Sequence, residues 1–357
     1  MSDGYHRAHR VLPEAAELLV LAAAALLFAL VFAPAAASRR NLLVQGGTGM
    51  VATAAIAVVP TFDLALLTIV GLGVMQAGIP GKRTLAVRLR APVLAVAVLA
   101  FALVFLRVEG PAVLERFAAV GLVAGLAAAV GLFPYIHPFA ADEPVAASPI
   151  VWIAFVGPVL AAVVLSRAEG LLSVDAGQAL AAMLIGLGVI NMAWGSIASW
   201  LTDDTAAAWR YSFLADWGLV LCGFGLTLSD GRRAALLVLF GIVVGRLPLY
   251  LVSREPRAER VTSEGPINLV VAAALAGSAP FVGFAARVLL LRGATQLFWP
   301  LALVLALGML LWLPGSLRLG RSLGRPRGRQ AFGVALAVAV NVAAGLYPLP
   351  LLAAAKL

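Results

Sequence analysis

The sequence has few residues of the kinds that catalysis, metal binding and disulfide formation require. Its 357 residues include one cysteine, three histidines and 17 acidic residues. A single cysteine excludes both an internal disulfide and a cysteine-ligated cluster. The three histidines do not have the spacing of metal ligands. We therefore expect no metal, no bound cofactor and no catalytic centre in this chain.

Charged residues of all kinds are also scarce, and this scarcity indicates the solvent. They make up 12% of the chain, against 62% hydrophobic residues, and the mean hydropathy is +1.01. Soluble domains carry about 25% charged residues. Apolar stretches recur from end to end, and each is long enough as a helix to cross a bilayer. The sequence therefore predicts an all-α, multi-pass membrane protein that forms one membrane domain over residues 1–357.

The charges that are present are mostly positive, with 26 lysines and arginines and a net charge of +9. In a soluble protein this excess would suggest nucleic acid, but here the arginines lie in short loops between apolar runs. That distribution is typical of loops on the cytoplasmic side of a membrane, so we expect no nucleic-acid partner. Five arginines between Arg318 and Arg329 are predicted to lie in one such loop. A docking surface for an acidic partner or an anionic lipid is the second interpretation of this loop.

About twelve transmembrane helices are predicted from the apolar runs and from the charges, glycines and prolines that bound them. Two flanking helices, 14–34 and 330–354, enclose two groups of five. The first group occupies residues 42–166 and the second occupies residues 177–317. The predicted helices are 14–34, 42–60, 62–80, 91–107, 113–141, 149–166, 177–201, 207–229, 232–252, 264–292, 296–317 and 330–354.

Prolines interrupt the fourth helix of each group. Pro134 and Pro138 fall inside 113–141, and Pro280 falls inside 264–292, with apolar sequence on both sides. Proline removes a backbone donor and breaks a helix locally. Paired broken helices in corresponding positions are typical of inverted-repeat transporters. Two interpretations remain open: ordinary proline kinks, or two inverted five-helix repeats that each contain a broken helix.

Four segments, in order, resemble the antiporter-like subunits shared by respiratory complex I, membrane-bound hydrogenases and Mrp-type antiporters. The fourth is the most specific. It reads Ala-Gly-Ser-Ala-Pro-Phe-Val-Gly-Phe-Ala-Ala-Arg, where the family has Ala-Gly-x-Pro-Pro-x-x-Gly-Phe followed by a lysine or glutamate at its second broken helix. The four segments are Gly131–His137 with Asp142 and Pro144, Asp204–Gly218, Ala234–Arg246, and Ala276–Arg287.

This resemblance implies a non-redox membrane subunit of a complex I-like or hydrogenase-like proton-translocating assembly. Such a chain belongs to an NADH:quinone oxidoreductase-like translocase and has no catalytic centre or cofactor of its own. The implied partners are other membrane subunits, the lipid bilayer, and protons or monovalent cations. The implied location is the bacterial cytoplasmic membrane. A stand-alone cation/proton antiporter is the alternative.

The sequence departs from the family in the residues that would carry protons. Family channels use a buried glutamate and buried lysines, because a buried lysine can lose its proton whereas an arginine stays charged. This chain has only two lysines, Lys82 in a loop and Lys356 near the end. We therefore expect a degenerate proton channel. The family's glutamate position falls at Gly71 or Leu72, and its two lysine positions fall near Ala129 or Val130 and near Pro158 or Val159.

The ionisable residues that remain inside apolar helices are the candidate site, because charges in a membrane helix are costly. Asp216 is predicted near mid-membrane and needs a partner, for which Arg246 and Arg287 are the candidates. The pair is either a static contact that fixes helix packing or part of a proton relay. His137 either relays protons or lies at the membrane interface, bonded to freed backbone groups. Arg210 opens the helix that carries Asp216 and completes the candidate set.

Two asparagines also lie inside predicted apolar helices, at Asn191 and Asn341. Asparagine side chains within membranes commonly form hydrogen bonds between helices. We therefore expect Asn191 and Asn341 to bond to neighbouring helices and not to bind ions.

Overall fold

The structure, a computed structural model, describes residues 83–108, 112–136, 172–254 and 265–354, together with nine isolated positions between 47 and 79. The predicted helices 14–34 and 149–166 lie outside these residues, as do 42–60 and 62–80 apart from the isolated positions. Within the described residues all regular structure is helical and there is no strand. This confirms the all-α expectation. The count of about twelve transmembrane helices over the whole chain stays a prediction.

Twelve α-helices and one π-helical segment make up the described part of the chain. They are α1 Leu85–Arg107, α2 Ala112–Val130, α3 Val174–Leu201, α4 Thr205–Gly225, α5 Ser229–Phe240, α6 Leu247–Ser253, α7 Pro266–Ala276, α8 Val282–Leu297, α9 Trp299–Leu311, α10 Leu313–Ser322, α11 Arg329–Leu346 and α12 Leu349–Ala354. The π-helical segment, Gly241–Arg246, joins α5 to α6.

Five of the described helical segments are long and apolar enough to cross a membrane. The chain is therefore an integral membrane protein, as its composition predicts. The five segments are Leu85–Arg107, Val113–Val130, Val174–Leu201, Ser229–Ser253 and Trp299–Ser322.

Helix α4 lies at the centre of the described fold. It packs along α3 on one side and against α5, α8 and α10 on the others, while α1 and α2 pack on each other and reach α4 through α3. Of its 21 residues, 18 are buried. A helix that is buried all round lies in the protein core and not against lipid. Its first turn is capped by Asp204, whose carboxylate accepts the Ala206 and Ala207 N–H groups at 3.1 Å.

Glycines let α3 and α4 approach each other closely. A Cβ at Gly188 would lie 2.7 Å from the carbonyl oxygen of Gly218, and a Cβ at Gly195 would lie 2.6 Å from that of Tyr211. Real Cβ atoms do not come so near, so any larger residue would push the helices apart. Small residues at such contacts are the usual means by which membrane helices gain close packing.

The proline-containing helices end where the sequence places the prolines. Helix α2 ends at Val130, followed by Gly131 with φ 85° and a cis peptide bond before Pro134. Helix α7 ends at Ala276, followed by Gly277 with φ 64° and a cis peptide bond before Pro280, and α8 then begins at Val282. The two breaks therefore share one local pattern, a left-handed glycine three residues before a cis proline. Pro138 lies outside the described residues.

The predicted helix 232–252 is a continuous helical segment in the structure, Ser229–Ser253, but its middle part is π-helical. Pro248 accounts for this widening, because it has no N–H to donate to the carbonyl of Val244. Wide turns of this kind occur frequently at functional sites. Here the π-helical segment ends at Arg246.

The C-terminal third differs from the sequence prediction in two places. Predicted helix 296–317 extends to Ser322 as α9 and α10, so that Arg318 and Arg321 lie on a helix and not in a loop. Arg318 is held there because its guanidinium donates to the Trp200 carbonyl at 3.0 Å and the Asp203 carbonyl at 2.8 Å. Predicted helix 330–354 is divided into α11 and α12 before Pro348, which cannot continue the hydrogen bonding.

Because α3 packs closely on α4 at Gly188 but not at Gly186, we expect alanine at these two positions to have opposite effects on stability. Gly188→Ala should lower stability by about 1–3 kcal/mol, because the new methyl group overpacks the contact. Gly186→Ala should raise stability by up to about 1 kcal/mol, because nothing lies within 4 Å of that position and alanine favours the helix. Thermal unfolding of the full chain in detergent measures both. Equal effects of the two substitutions would contradict this packing.

Candidate functional site

The break between α7 and α8 leaves backbone carbonyls without helical partners in the interior of the protein. The carbonyl of Leu275, at the end of α7, accepts the Trp312 indole N–H at 2.7 Å. It also accepts a longer bond of 3.4 Å from Nη2 of Arg246. In a bilayer such freed groups must be satisfied by protein or by water. Trp312 and Arg246 therefore stabilise the broken end of α7.

The same arginine contacts the only buried carboxylate of α4. Nε of Arg246 lies 2.6 Å from Oδ2 of Asp216, and the exposed fractions of the two residues are 5% and 9%. The distance is that of a close charge contact. The guanidinium also lies 4.9 Å from the ring centroid of Trp312. Contact with an aromatic face favours a cation at this position.

A cavity of about 40 Å³ adjoins this ion pair, at the meeting point of α4, the π-helical segment, α8 and α11. The polar side chains in its lining are Asp216, Arg246, Arg287 and Asn341. A space of this size has room for water-sized occupants. The fold thus places three of the candidate residues, Asp216, Arg246 and Arg287, around one polar cavity.

Arg287 reaches the cavity from α8 and depends on Gly277 for its position. A Cβ at Gly277 would lie 2.6 Å from Nη1 of Arg287, so a larger residue here would displace the guanidinium. The left-handed backbone of Gly277 also favours glycine at this position. Arg287 is partly exposed at the surface of the chain. Among the described residues no ion pair is formed by Arg287.

At each helix break an asparagine side chain accepts a hydrogen bond from the backbone. Oδ1 of Asn191, on α3, accepts the Phe133 N–H at 3.0 Å. Oδ1 of Asn341, on α11, accepts the Val282 N–H at 3.1 Å. Each asparagine therefore satisfies a donor that the broken helix leaves free. The expectation that both asparagines bond to neighbouring helices is confirmed.

The two breaks differ in polarity. The cavity beside the first break is about 10 Å³ and is lined by nine apolar residues, among them Val130, Leu132 and Trp217. His137, the candidate for a proton carrier at this break, lies outside the described residues. Arg210 is buried on α4, yet it does not line the polar cavity at the second break. In the described structure, the ionisable cluster therefore lies only at the second break.

Sequence reasoning missed an ion-pair cluster at the start of α5. Asp230 is buried, and its carboxylate lies 3.2 Å from Nε of Arg292 on α8 and 3.7 Å from Nη1 of Arg233. This contact ties α8, the helix that carries Arg287, to α5. The signal in the sequence was only an aspartate in the first turn of a helix, where an acidic residue is favourable whatever its neighbours. Trp312 was also missed, because tryptophans in membrane proteins are mostly interfacial anchors or packing residues.

Comparisons with known proteins support the resemblance at the level of fold. No protein-family model and no curated protein sequence matches this chain. Many chains of solved structures share its fold. In respiratory complex I from Thermus thermophilus with bound NADH, the similarity covers 96% of this chain and 85% of that chain, with 15% identity and a TM-score of 0.68.

Two further structures of this group are also membrane complexes. In the membrane-bound sulfane sulfur reductase, an archaeal respiratory membrane complex, the similarity covers 94% of this chain and 65% of that chain, with 16% identity and a TM-score of 0.74. In the Mrp complex from Dietzia sp. DQ12-45-1b the shares are 87% and 40%, with 14% identity and a TM-score of 0.64. The chain therefore shares the fold of a chain in each of these complexes, and respiratory complex I and the Mrp complex are assemblies of the kinds whose antiporter-like subunits its motifs resemble. Identities this low establish the fold and nothing finer.

We expect each asparagine to stabilise only its own helix break, so that the variant of one asparagine is the control for the variant of the other. Asn341→Leu should speed amide hydrogen exchange at residues 278–286 and leave residues 127–136 unchanged. Asn191→Leu should do the reverse. Each change removes the acceptor of one buried N–H, a loss of about 1–3 kcal/mol. Hydrogen exchange of the full chain followed by mass spectrometry measures both breaks at once. Equal changes at both breaks would mean general destabilisation and would contradict a local role.

Proposed function

We propose that this chain is a non-redox membrane subunit of a complex I-like or hydrogenase-like proton-translocating assembly, in which its own proton route has degenerated. The proposed membership in such an assembly rests on the shared fold. This similarity extends over nearly the whole chain and recurs in three membrane complexes. The partners are then other membrane subunits of such an assembly. The location is the bacterial cytoplasmic membrane, with multiple passes.

Support for two inverted five-helix repeats comes from the matching breaks. Each break has a left-handed glycine, a proline three residues later and an asparagine from another helix that accepts a backbone N–H. The match is not complete, because the N–H accepted by Asn191 precedes Pro134 by one residue whereas that accepted by Asn341 follows Pro280 by two. Repeats of this kind are the usual architecture of transporters with broken helices.

The second half of the proposal rests on the chemistry of the cluster at the second break. The guanidinium groups of Arg246 and Arg287 do not release their protons. Asp216 is then the only side chain in the cavity lining that can exchange a proton. Its Oδ2 is in contact with Arg246, so transfer through Asp216 would require that contact to open.

The first break adds a second reason to propose a degenerate route. Ala129 and Val130, the positions near one of the family's lysines, are buried and apolar at the end of α2. The neighbouring cavity is apolar throughout. A proton relay needs ionisable or water-holding groups along its whole length. The described part of the first break offers neither.

The proposed membership in an assembly predicts how the protein behaves on purification. A tagged full-length chain extracted in mild detergent should elute as part of a complex that retains redox activity. The reason is that this fold recurs in chains of respiratory membrane complexes. A free monomer or homodimer that exchanges cations for protons in liposomes would overturn the proposal and establish the stand-alone antiporter.

The degenerate route predicts that proton pumping survives loss of the cluster. In the purified assembly, reconstituted in liposomes, Asp216→Asn and Arg287→Gln should leave the protons pumped per electron unchanged. Arg292→Gln, on the same helix as Arg287 but outside the cavity, is the matched control. Native electrophoresis must show intact complexes, because Asp216→Asn leaves the Arg246 charge without its carboxylate, a loss of about 3–5 kcal/mol. A fall in pumping by Asp216→Asn in intact complexes would restore the proton relay.

A further inference from the structure

The polar cavity at the second break contains more positive than negative charge. Its lining includes the guanidinium groups of Arg246 and Arg287 but a single carboxylate, that of Asp216. Asp216 is in contact with Arg246, whereas no ion pair joins Arg287 to any residue that the structure describes. An unbalanced charge within the membrane is costly, and such charges are almost always paired. Among the described side chains of the cavity, positive charges therefore outnumber negative charges by one.

The hydrogen-bonding groups of the cavity also favour an anion, because its side chains offer more donors than acceptors. Nη1 of Arg246 has no hydrogen-bond partner within the described ranges, although the residue is only 5% exposed. Oδ1 of Asn341 accepts the Val282 N–H, which turns the amide nitrogen Nδ2 to the other side, against Gly245. Arg287 contributes the remaining donors, and the carboxylate of Asp216 is the only charged acceptor in the lining.

The size of the cavity limits what such an anion can be. About 40 Å³ accommodates an occupant of one or a few water-sized atoms, since a single water needs about 10–15 Å³. A halide satisfies this limit, and a sugar acid does not. Arg287 is partly exposed, so the cavity is not closed on the side of α8.

We propose that this cavity is a binding site for a small monovalent inorganic anion of the halide type, held by Nη1 of Arg246 and the guanidinium of Arg287. With one such anion bound, two guanidinium groups balance one carboxylate and one halide. Charge-assisted hydrogen bonds from guanidinium groups are the strong kind and match this task. The site goes beyond the proposed function and does not depend on it, because a chain that neither pumps nor assembles retains the same cavity.

The test uses the purified full-length chain in detergent at constant ionic strength, with sodium gluconate replaced stepwise by sodium chloride or sodium bromide. A ligand that binds only the folded state raises Tm in a saturable way. We expect a rise of about 3 °C for the unaltered chain. Arg287→Leu should abolish this rise and should also raise Tm in gluconate, because it removes the unbalanced charge. Arg292→Leu, one and a half turns further along α8, should keep the rise.

A second measurement keeps the proposal testable if Arg287→Leu does not fold. Line broadening of the ³⁵Cl NMR signal should occur with the unaltered chain and with Arg292→Leu, and should be absent with Arg287→Gln. The absence of any difference between halide and gluconate in the unaltered chain would overturn the proposal. An equal halide effect in Arg287→Gln and Arg292→Leu would also overturn it, since the halide would then act elsewhere.

Discussion

The guanidinium of Arg246 contacts two polar groups in the interior of the fold, one of which it shares with the Trp312 indole N–H. One is the carboxylate of Asp216 on the central helix, and the other is the carbonyl of Leu275 at the end of the broken helix. Both groups are costly to bury without a partner. Because one side chain serves both, the position of α7 relative to α4 depends on where Arg246 lies. The π-helical segment and Pro248 determine that position.

Two breaks with a common local pattern thus have different surroundings. At the first, Asn191 satisfies the backbone and the neighbouring residues are apolar. At the second, Asn341 satisfies the backbone, and two arginines and an aspartate lie beside it. At each break an asparagine accepts a backbone N–H that would otherwise have no partner. The N–H group at the start of α8 therefore does not need the charged cluster as a hydrogen-bond partner. The cluster lies there at a considerable cost in desolvation, which the contacts of Arg246 with Asp216 and with the Leu275 carbonyl offset in part.

How far the sequence predicted this structure depends on the range of each interaction. Membrane character followed from composition, and both breaks followed from Pro134 and Pro280, because proline acts on its own turn of helix. The partner of Asp216 did not follow. A π turn rotates every later residue about the helix axis, so a regular helical periodicity cannot decide between Arg246 and Arg287. Trp312 and Asn341 lie far along the chain from the groups they contact, and no local pattern indicates such contacts.

The misassigned loop has a related cause. The sequence predicts Arg318 and Arg321 in a loop, because charges usually mark the end of a membrane helix. The helix continues to Ser322, since α10 buries Leu319 and Gly320 on one face while Arg318 reaches across to carbonyls at the end of α3. Arginine has a long apolar stem that allows its charged group to lie away from its own backbone position. A charge in the sequence therefore locates a side chain only within about one helical turn.

The choice of arginine at the second break also decides what the cavity can conduct. A buried lysine alternates between charged and neutral forms and can pass a proton along, whereas a guanidinium remains positive. Two fixed positive charges around one carboxylate create a net positive potential in a narrow, poorly screened space. Such a potential repels protons and metal cations, as arginines do in pores that exclude them. The excess positive charge of the cavity lining alone disfavours a bound cation, and the proposed anion would bring the charge of the cluster to zero. Either state agrees with the proposed loss of the proton route.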